Sequence, residues 1–291
     1  MNESPERLAV AVAQPRLEPG EPEQGKVAVA ADMLAEAADD GARLLLFPEG
    51  FPGPLRGDSA YDAAPRMAEA AARSGCAVCW SRIERDEAGS WRLVAYVHDR
   101  CGAEALRYER AHPATGDVHP VLSGVSLAPG AEFAVADVDG VSVGVMVCSE
   151  LWLPEVSRVL ALRGAELLLA PAGGGFHRVA PNWMLLAQAR AIENECHLAL
   201  TQHLIGDERG AALVAGPEGV LASSEDEGVL SCEIDLARAR WLRSIDDSMQ
   251  EPKPFAALPG LLRARRPGLY SELAEPAPGL YDYEAAAAAS G

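Results

Sequence analysis

The chain predicts an α/β fold. Segments with strand patterning alternate with segments of helical apolar spacing along its 291 residues, and two apolar strands end abruptly in turn-forming loops that carry a carboxylate and a thiol. The first strand is Leu8-Ala-Val-Ala-Val-Ala-Gln14, followed by a Glu/Pro/Gly-rich loop over 15–24. Residues 27–39 have helical spacing, residues 42–47 form a short apolar strand, and residues 65–73 are helical again. Residues 77–84 and 91–99 read as strands, as does the run of small and β-branched residues over 141–147. Residues 154–162 then take up helical spacing, and a further helix carries Trp183, Arg190 and Asn194, the last two one turn apart on one face. There they would satisfy backbone groups rather than perform chemistry. No internal repeat interrupts this order, so a single domain over 1–275 is expected, followed by a tail over 276–291 with a run of alanines.

Composition excludes several classes of function. The chain carries 43 acidic against 25 basic residues, a net charge of −18, and would repel the phosphates of a nucleic acid. No apolar run approaches the roughly 18 residues of a membrane helix, so no membrane partner is expected. The first apolar stretch follows acidic residues and lacks the basic start of an export signal, which makes the cytoplasm the expected location. Six cysteines in such a chain suit a reducing compartment. Cys76-Ala-Val-Cys79 and His98-Asp-Arg-Cys101 imitate a zinc site. Residues three apart on a strand face opposite ways, however, so Cys76 and Cys79 would diverge. No metal and no cofactor is expected, and Cys196 and Cys232 read as packing positions.

The chemistry concentrates at two strand ends. In Val141-Ser-Val-Gly-Val-Met-Val-Cys148-Ser-Glu-Leu-Trp-Leu-Pro-Glu155 the thiol falls on the turn between a strand and a helix. Free amides at the start of that helix would favour a thiolate and could stabilise an oxyanion. The plainer reading is a small buried core residue. In Ala42-Arg-Leu-Leu-Leu-Phe-Pro48-Glu49-Gly-Phe-Pro-Gly-Pro54 a carboxylate directly follows a strand, in a loop stiffened by prolines. Ligands of open α/β sheets gather beyond the carboxyl ends of strands, so Glu49 and Cys148 could meet in space.

With these residues in view, the chain resembles the carbon–nitrogen hydrolases of the nitrilase superfamily from Leu8 to Tyr270. The resemblance includes the opening strand, the Phe-Pro-Glu49 element and the Cys148 segment with Pro154-Glu155. It continues through Arg163-Gly-Ala-Glu-Leu-Leu-Leu-Ala-Pro171, Trp183 to Asn194, Gly216-Pro-Glu-Gly-Val and Arg265-Arg-Pro-Gly-Leu-Tyr270. It implies a four-layer αββα sandwich and a Glu-Lys-Cys triad. In that triad the Glu is general base, the Lys steadies the oxyanion and the Cys forms a thioester or thioimidate that water hydrolyses. It also implies a homodimer or higher homo-oligomer.

One triad position departs from the pattern. Where the family has Lys, this chain reads Tyr108-Glu-Arg110-Ala-His112-Pro113, and its two lysines, Lys26 and Lys253, are no obvious replacement. A second family Glu is also missing, since counting back from Pro129-Gly130 finds Ser123, with no carboxylate between Asp117 and Glu132. Arg110 keeps the cation that would depress the Cys148 thiol, yet a guanidinium could lock Glu49 in an ion pair, hold its carboxyl low and weaken it as a base. His112 and His119 stand near as alternative bases. The expected catalytic set is Glu49, Arg110 and Cys148. The expected substrate-binding set is Ser149, Trp152, Ala172, His177 and Phe51, with Trp183 a further candidate for an apolar wall. The expected reaction is hydrolysis of a small-molecule amide, with nitrile hydrolysis or acyl transfer by the same nucleophile as alternatives. A relative that only binds a ligand or partner is the remaining alternative.

Overall fold

Runs of Val, Leu and Ala that are apolar on both faces form the central strands, because one face meets helices and the other a second sheet. The computed structural model describes residues 5–17, 21–54, 59, 61–118, 124–174, 179–207, 209–244, 253, 260–275, 278–283, 285 and 286. Strands β1 (Arg7–Gln14) and β2 (Arg16–Leu17) lead to helix α1 (Glu23–Asp39). Strand β3 (Leu44–Leu46), helix α2 (Ala64–Ser74) and strands β4 (Ala77–Arg85), β5 (Trp91–His98) and β6 (Glu104–Glu109) follow. A short helix α3 (Thr115–Val118) precedes the β7 (Val135–Val138) and β8 (Val141–Val145) hairpin, helix α4 (Pro154–Leu162), strand β9 (Leu167–Pro171) and helix α5 (Ala180–Glu193). Strands β10 (His197–Thr201), β11 (Leu204–Ile205), β12 (Ala212–Gly216), β13 (Gly219–Ser224) and β14 (Gly228–Asp235) lead to helix α6 (Leu236–Arg243).

Two six-stranded sheets result, ordered β14-β1-β3-β4-β5-β6 and β13-β12-β10-β9-β8-β7. Within them β1, β3 and β4 run parallel, as do β8, β9 and β10. Side-chain alternation divides the core. Val10, Val12, Leu44, Leu46 and Cys79 enter the cluster that runs between the sheets and on to α4 and α5. Ala11, Ala13, Leu45, Cys76 and Val78 face α1 and α2 in a second cluster. The layers are therefore helix, sheet, sheet, helix, the expected αββα sandwich.

Cys76 and Cys79 diverge, as the strand period requires, and His98 is engaged elsewhere, its Nδ1 accepting the Trp80 indole N–H at 2.9 Å. Helix α1 begins at Glu23, inside the expected loop, because Pro22 with φ −68° already holds the geometry of a helix entry. Arg16 and Leu17 of the same loop pair with Leu204 and Ile205. On α5, Asn194 donates its amide to Arg190 O at 2.9 Å, and Arg190 Nε donates to Leu151 O at 3.1 Å, which is the structural role expected of both.

Candidate active site

Strand β3 delivers Glu49 through Phe47 and Pro48, and the backbone on both sides of Glu49 is held by hydrogen bonds. Glu49 N donates to Ala172 O at 3.2 Å, and Gly50 N donates to Ser81 Oγ at 2.6 Å. His203 Nε2 lies 2.6 Å from Glu49 O, and since a carbonyl can only accept, Nε2 carries the proton. Phe51, 2% exposed, wedges behind the loop against Phe47 and His203.

Strand β8 delivers Cys148, and the chain reverses so sharply there that Cys148 takes φ +54°, a left-handed conformation that non-glycine residues adopt only where the surroundings enforce it. Residues Cys148–Trp152 wind into a 3-10 turn before α4 starts at Pro154. Glu150 holds this turn from beneath. Its Oε2 accepts Val147 N at 2.7 Å, while its Oε1 accepts the Tyr108 hydroxyl at 2.7 Å and the amides of Ala111 and His112 at 3.0 Å. One fully buried carboxylate thus joins the Cys148 turn to the segment that follows β6.

That segment carries Arg110, fixed by Arg110 N donating to Leu93 O at 2.9 Å and by Gly130 N donating to Arg110 O at 2.8 Å. Its guanidinium is 1% exposed. Nη1 donates to Glu49 Oε1 and to Asp117 Oδ2, both at 2.7 Å, and Nη2 donates to Ser149 Oγ at 2.6 Å. Cys148 lies close enough to Glu49, Arg110 and the Gly173 amide for each of them to act on its thiol. Glu49, Arg110 and Cys148 therefore converge although they are far apart in the chain.

Dryness governs the electrostatics. Burial raises the Glu49 carboxyl above its ordinary value; Arg110 pulls it down and Asp117 pushes it up. Burial likewise pushes the Cys148 thiol well above its usual range, with Glu49 adding to the rise against Arg110 and the Gly173 amide. Arg110 stays protonated: burial opposes its charge, but Glu49, Cys148, Asp117 and Glu150 outweigh burial. These shifts correct two expectations. The thiol is not depressed and Glu49 is not held low, because the cost of placing charge in a site that excludes water exceeds what one shared guanidinium returns. The resting thiol is neutral, with the Glu49 carboxylate beside it to act as proton acceptor.

A carbon–nitrogen hydrolase family model matches residues 9–244. The chain belongs to the carbon–nitrogen hydrolase family. Among curated relatives, omega-amidase NIT2-A of Xenopus laevis is 26% identical over 71% of this chain and 82% of its own length. A citrullinase of Francisella tularensis is 29% identical over 82% and 89%. Among solved structures, a mutant amidase of Nesterenkonia sp. AN1 in complex with butyramide superposes with a TM-score of 0.69, is 26% identical, and covers 80% of this chain and 93% of that one.

The other sequence-expected positions of this carbon–nitrogen hydrolase fall as follows. Ser149 accepts from Arg110, Ala172 is buried with its carbonyl on Glu49 N, and Phe51 backs the Glu49 loop. Trp152 is 42% exposed with its ring edge-on to Trp183 at 5.8 Å. His177, His119 and Ser123 lie outside the described residues. His112 is engaged with Glu150 and stacked on Phe133, 5.9 Å between rings. Three residues escaped the sequence reading. Asp117 does so because it sits on α3, just after Arg110 and well before Pro129-Gly130, where a second carboxylate was sought. Glu150 was passed over beside the thiol it supports, and His203 lies on the far side of the chain from the loop it grips. A carboxylate two residues after a candidate nucleophile was the one signal available for Glu150.

Proposed function

We propose that the protein hydrolyses small neutral amides, with Cys148 as nucleophile, Glu49 as general base and Arg110 as the cation that steadies the oxyanion and orients Glu49. The supporting observation is the buried cluster beside Cys148 in which one Arg110 nitrogen bridges Glu49 and Asp117 while the other reaches Ser149, the residue next to the thiol. As sulfur bonds to the carbonyl carbon, Glu49 takes the thiol proton and negative charge moves to the carbonyl oxygen. The Glu49 proton then passes to the departing nitrogen, the C–N bond breaks and ammonia leaves a thioester. Glu49 next removes a proton from water as it attacks that thioester, and the acid is released with the thiol restored. A neutral resting thiol suits this order, since proton transfer and attack coincide and no free thiolate need persist in a buried site beside a carboxylate.

Amide is preferred to nitrile because the relatives include omega-amidases and an amidase holding butyramide. Asp117 serves as a positioning residue that shares Arg110 with Glu49. Six free thiols favour a reducing compartment such as the cytoplasm. Exposed Leu162, Leu269 and Leu273 favour a homodimer. Ammonia release from aliphatic amides tests the reaction: Cys148→Ala and Glu49→Gln should each lose at least ~10³-fold in kcat, the order seen for nucleophile and base removal. Retained activity in Cys148→Ala would overturn the assignment.

A further inference from the structure

Residues 278–283 bring Tyr283 back against His112, two residues from Arg110. Gly279 turns the chain at φ +87°, a conformation that side chains disfavour. Asp282 then opens a helical turn, its carboxylate accepting the Ala285 amide at 2.9 Å and its carbonyl the Ala286 amide at 3.0 Å. An Asp cap ahead of an alanine run is a local signal for such a turn. The turn sets the Tyr283 ring edge-on to His112 at 6.3 Å and to Tyr281 at 4.8 Å. His112 lies two residues from Arg110, with its Nδ1 3.2 Å from Glu150 beneath the Cys148 turn. The Tyr283 phenol is raised by burial and feels Arg110 and Glu150 as opposing charges, so it shares the field of the groups that flank the thiol.

Cys148 and Glu49 are each only 8% exposed, so the way to the sulfur is narrow and whatever borders it decides what enters. We propose that Tyr283 is a specificity-determining residue whose ring closes the Arg110 and His112 side of the substrate entrance and limits the size of the acyl group that reaches Cys148. This rests on Cys148 being the reacting thiol. The ring acts by steric exclusion, a repulsive element that needs no new attractive contact. A ring that only stapled the tail would leave the passage unchanged when removed.

The test compares alkylation of Cys148 by iodoacetamide and by the bulkier N-phenyl iodoacetamide, followed by peptide mass mapping in the full chain and in Tyr283→Ala and Tyr283→Phe. In Tyr283→Ala the bulky reagent should gain about tenfold relative to iodoacetamide, and the kcat/KM ratio of hexanamide to acetamide should rise in parallel. Tyr283→Phe, which keeps the ring, should retain the parent ratios and so separates steric exclusion from loss of the hydroxyl. Unchanged ratios in Tyr283→Ala would overturn the wall while leaving Cys148 as nucleophile. A Cys148 inert to both reagents in every form would overturn the nucleophile and the wall together.

Discussion

Replacing Arg110 with Met is the substitution that most sharply probes the buried cluster. It removes two charge-assisted hydrogen bonds of 2.7 Å to carboxylates and one of 2.6 Å to Ser149, and leaves Glu49 and Asp117 without their shared cation. Each such bond contributes about 1.5–3 kcal/mol, and breaking a buried ion pair by removing one partner costs about 3–5 kcal/mol. The upper figure is blunted because a carboxyl can take up a proton, so a loss of about 3–4 kcal/mol at pH 7.5 is expected. Glu49 is already raised by burial, and losing Arg110 raises it further. A folded-state pKa above the unfolded value contributes stability that is present at low pH and fades as pH rises through the folded pKa. The deficit of the variant should therefore be smaller at pH 5 than at pH 8. Urea unfolding at both pH values, read at unchanged m, measures it. A loss below about 1 kcal/mol at pH 7.5, or one independent of pH, would refute the dry ion-paired cluster. Arg110→Lys keeps the charge but not the fork, and should recover more than half of the stability.

Other consequences are open to similar measurement. The acid limb of kcat/KM should report a Glu49 carboxyl above the ordinary value of about 4.3, with activity lost as pH falls through it; a limb at or below that value would contradict the burial argument. His203→Phe should lower kcat at nearly constant KM and shift that acid limb, because the carbonyl of Glu49 loses its 2.6 Å donor, whereas His203→Gln, which can still donate, should restore much of both. Glu150→Gln presents an amide to donors and should cost about 2–3 kcal/mol in thermal or urea unfolding. Gly130→Ala would set a Cβ 2.3 Å from Glu109 O, forcing backbone next to Arg110 to move, and should reduce both stability and kcat.

Much of the fold was legible because strand and helix periods are local properties. The 141–147 strand, the turn at Cys148 and the helix starting at Pro154 all follow from patterns within a dozen residues, and alternation alone separated Cys76 from Cys79. Glu49 and Cys148 were legible as loop positions after apolar strands, and Arg110 only through colinearity with a known family. The electrostatics were not. Whether Arg110 or burial prevails at Glu49 depends on how much water the loops exclude, and that is set by Phe51 of the same loop together with His203 and Ala172 from distant parts of the chain. Asp117 received no role from the sequence, where it only bounds the stretch before Pro129 that lacks a carboxylate, while α3 folds it onto Arg110 through Oδ2, which also accepts the Ala114 amide. The packing of Tyr283 on His112 joins residues separated by more than half of the chain and leaves no local trace beyond the Asp282 cap.

The account depends on sulfur forming a bond to the acyl carbon. Mixing the enzyme with excess butyramide, quenching in acid within the first turnovers and mapping the peptides by mass reads this directly. A butyryl group on the peptide carrying Cys148, absent from Cys148→Ala and accumulating when Glu49 is replaced by Asp to slow the water step, is the result expected. Amide hydrolysis that proceeds with this peptide unmodified at every time, or an acyl group carried by another residue, would contradict it.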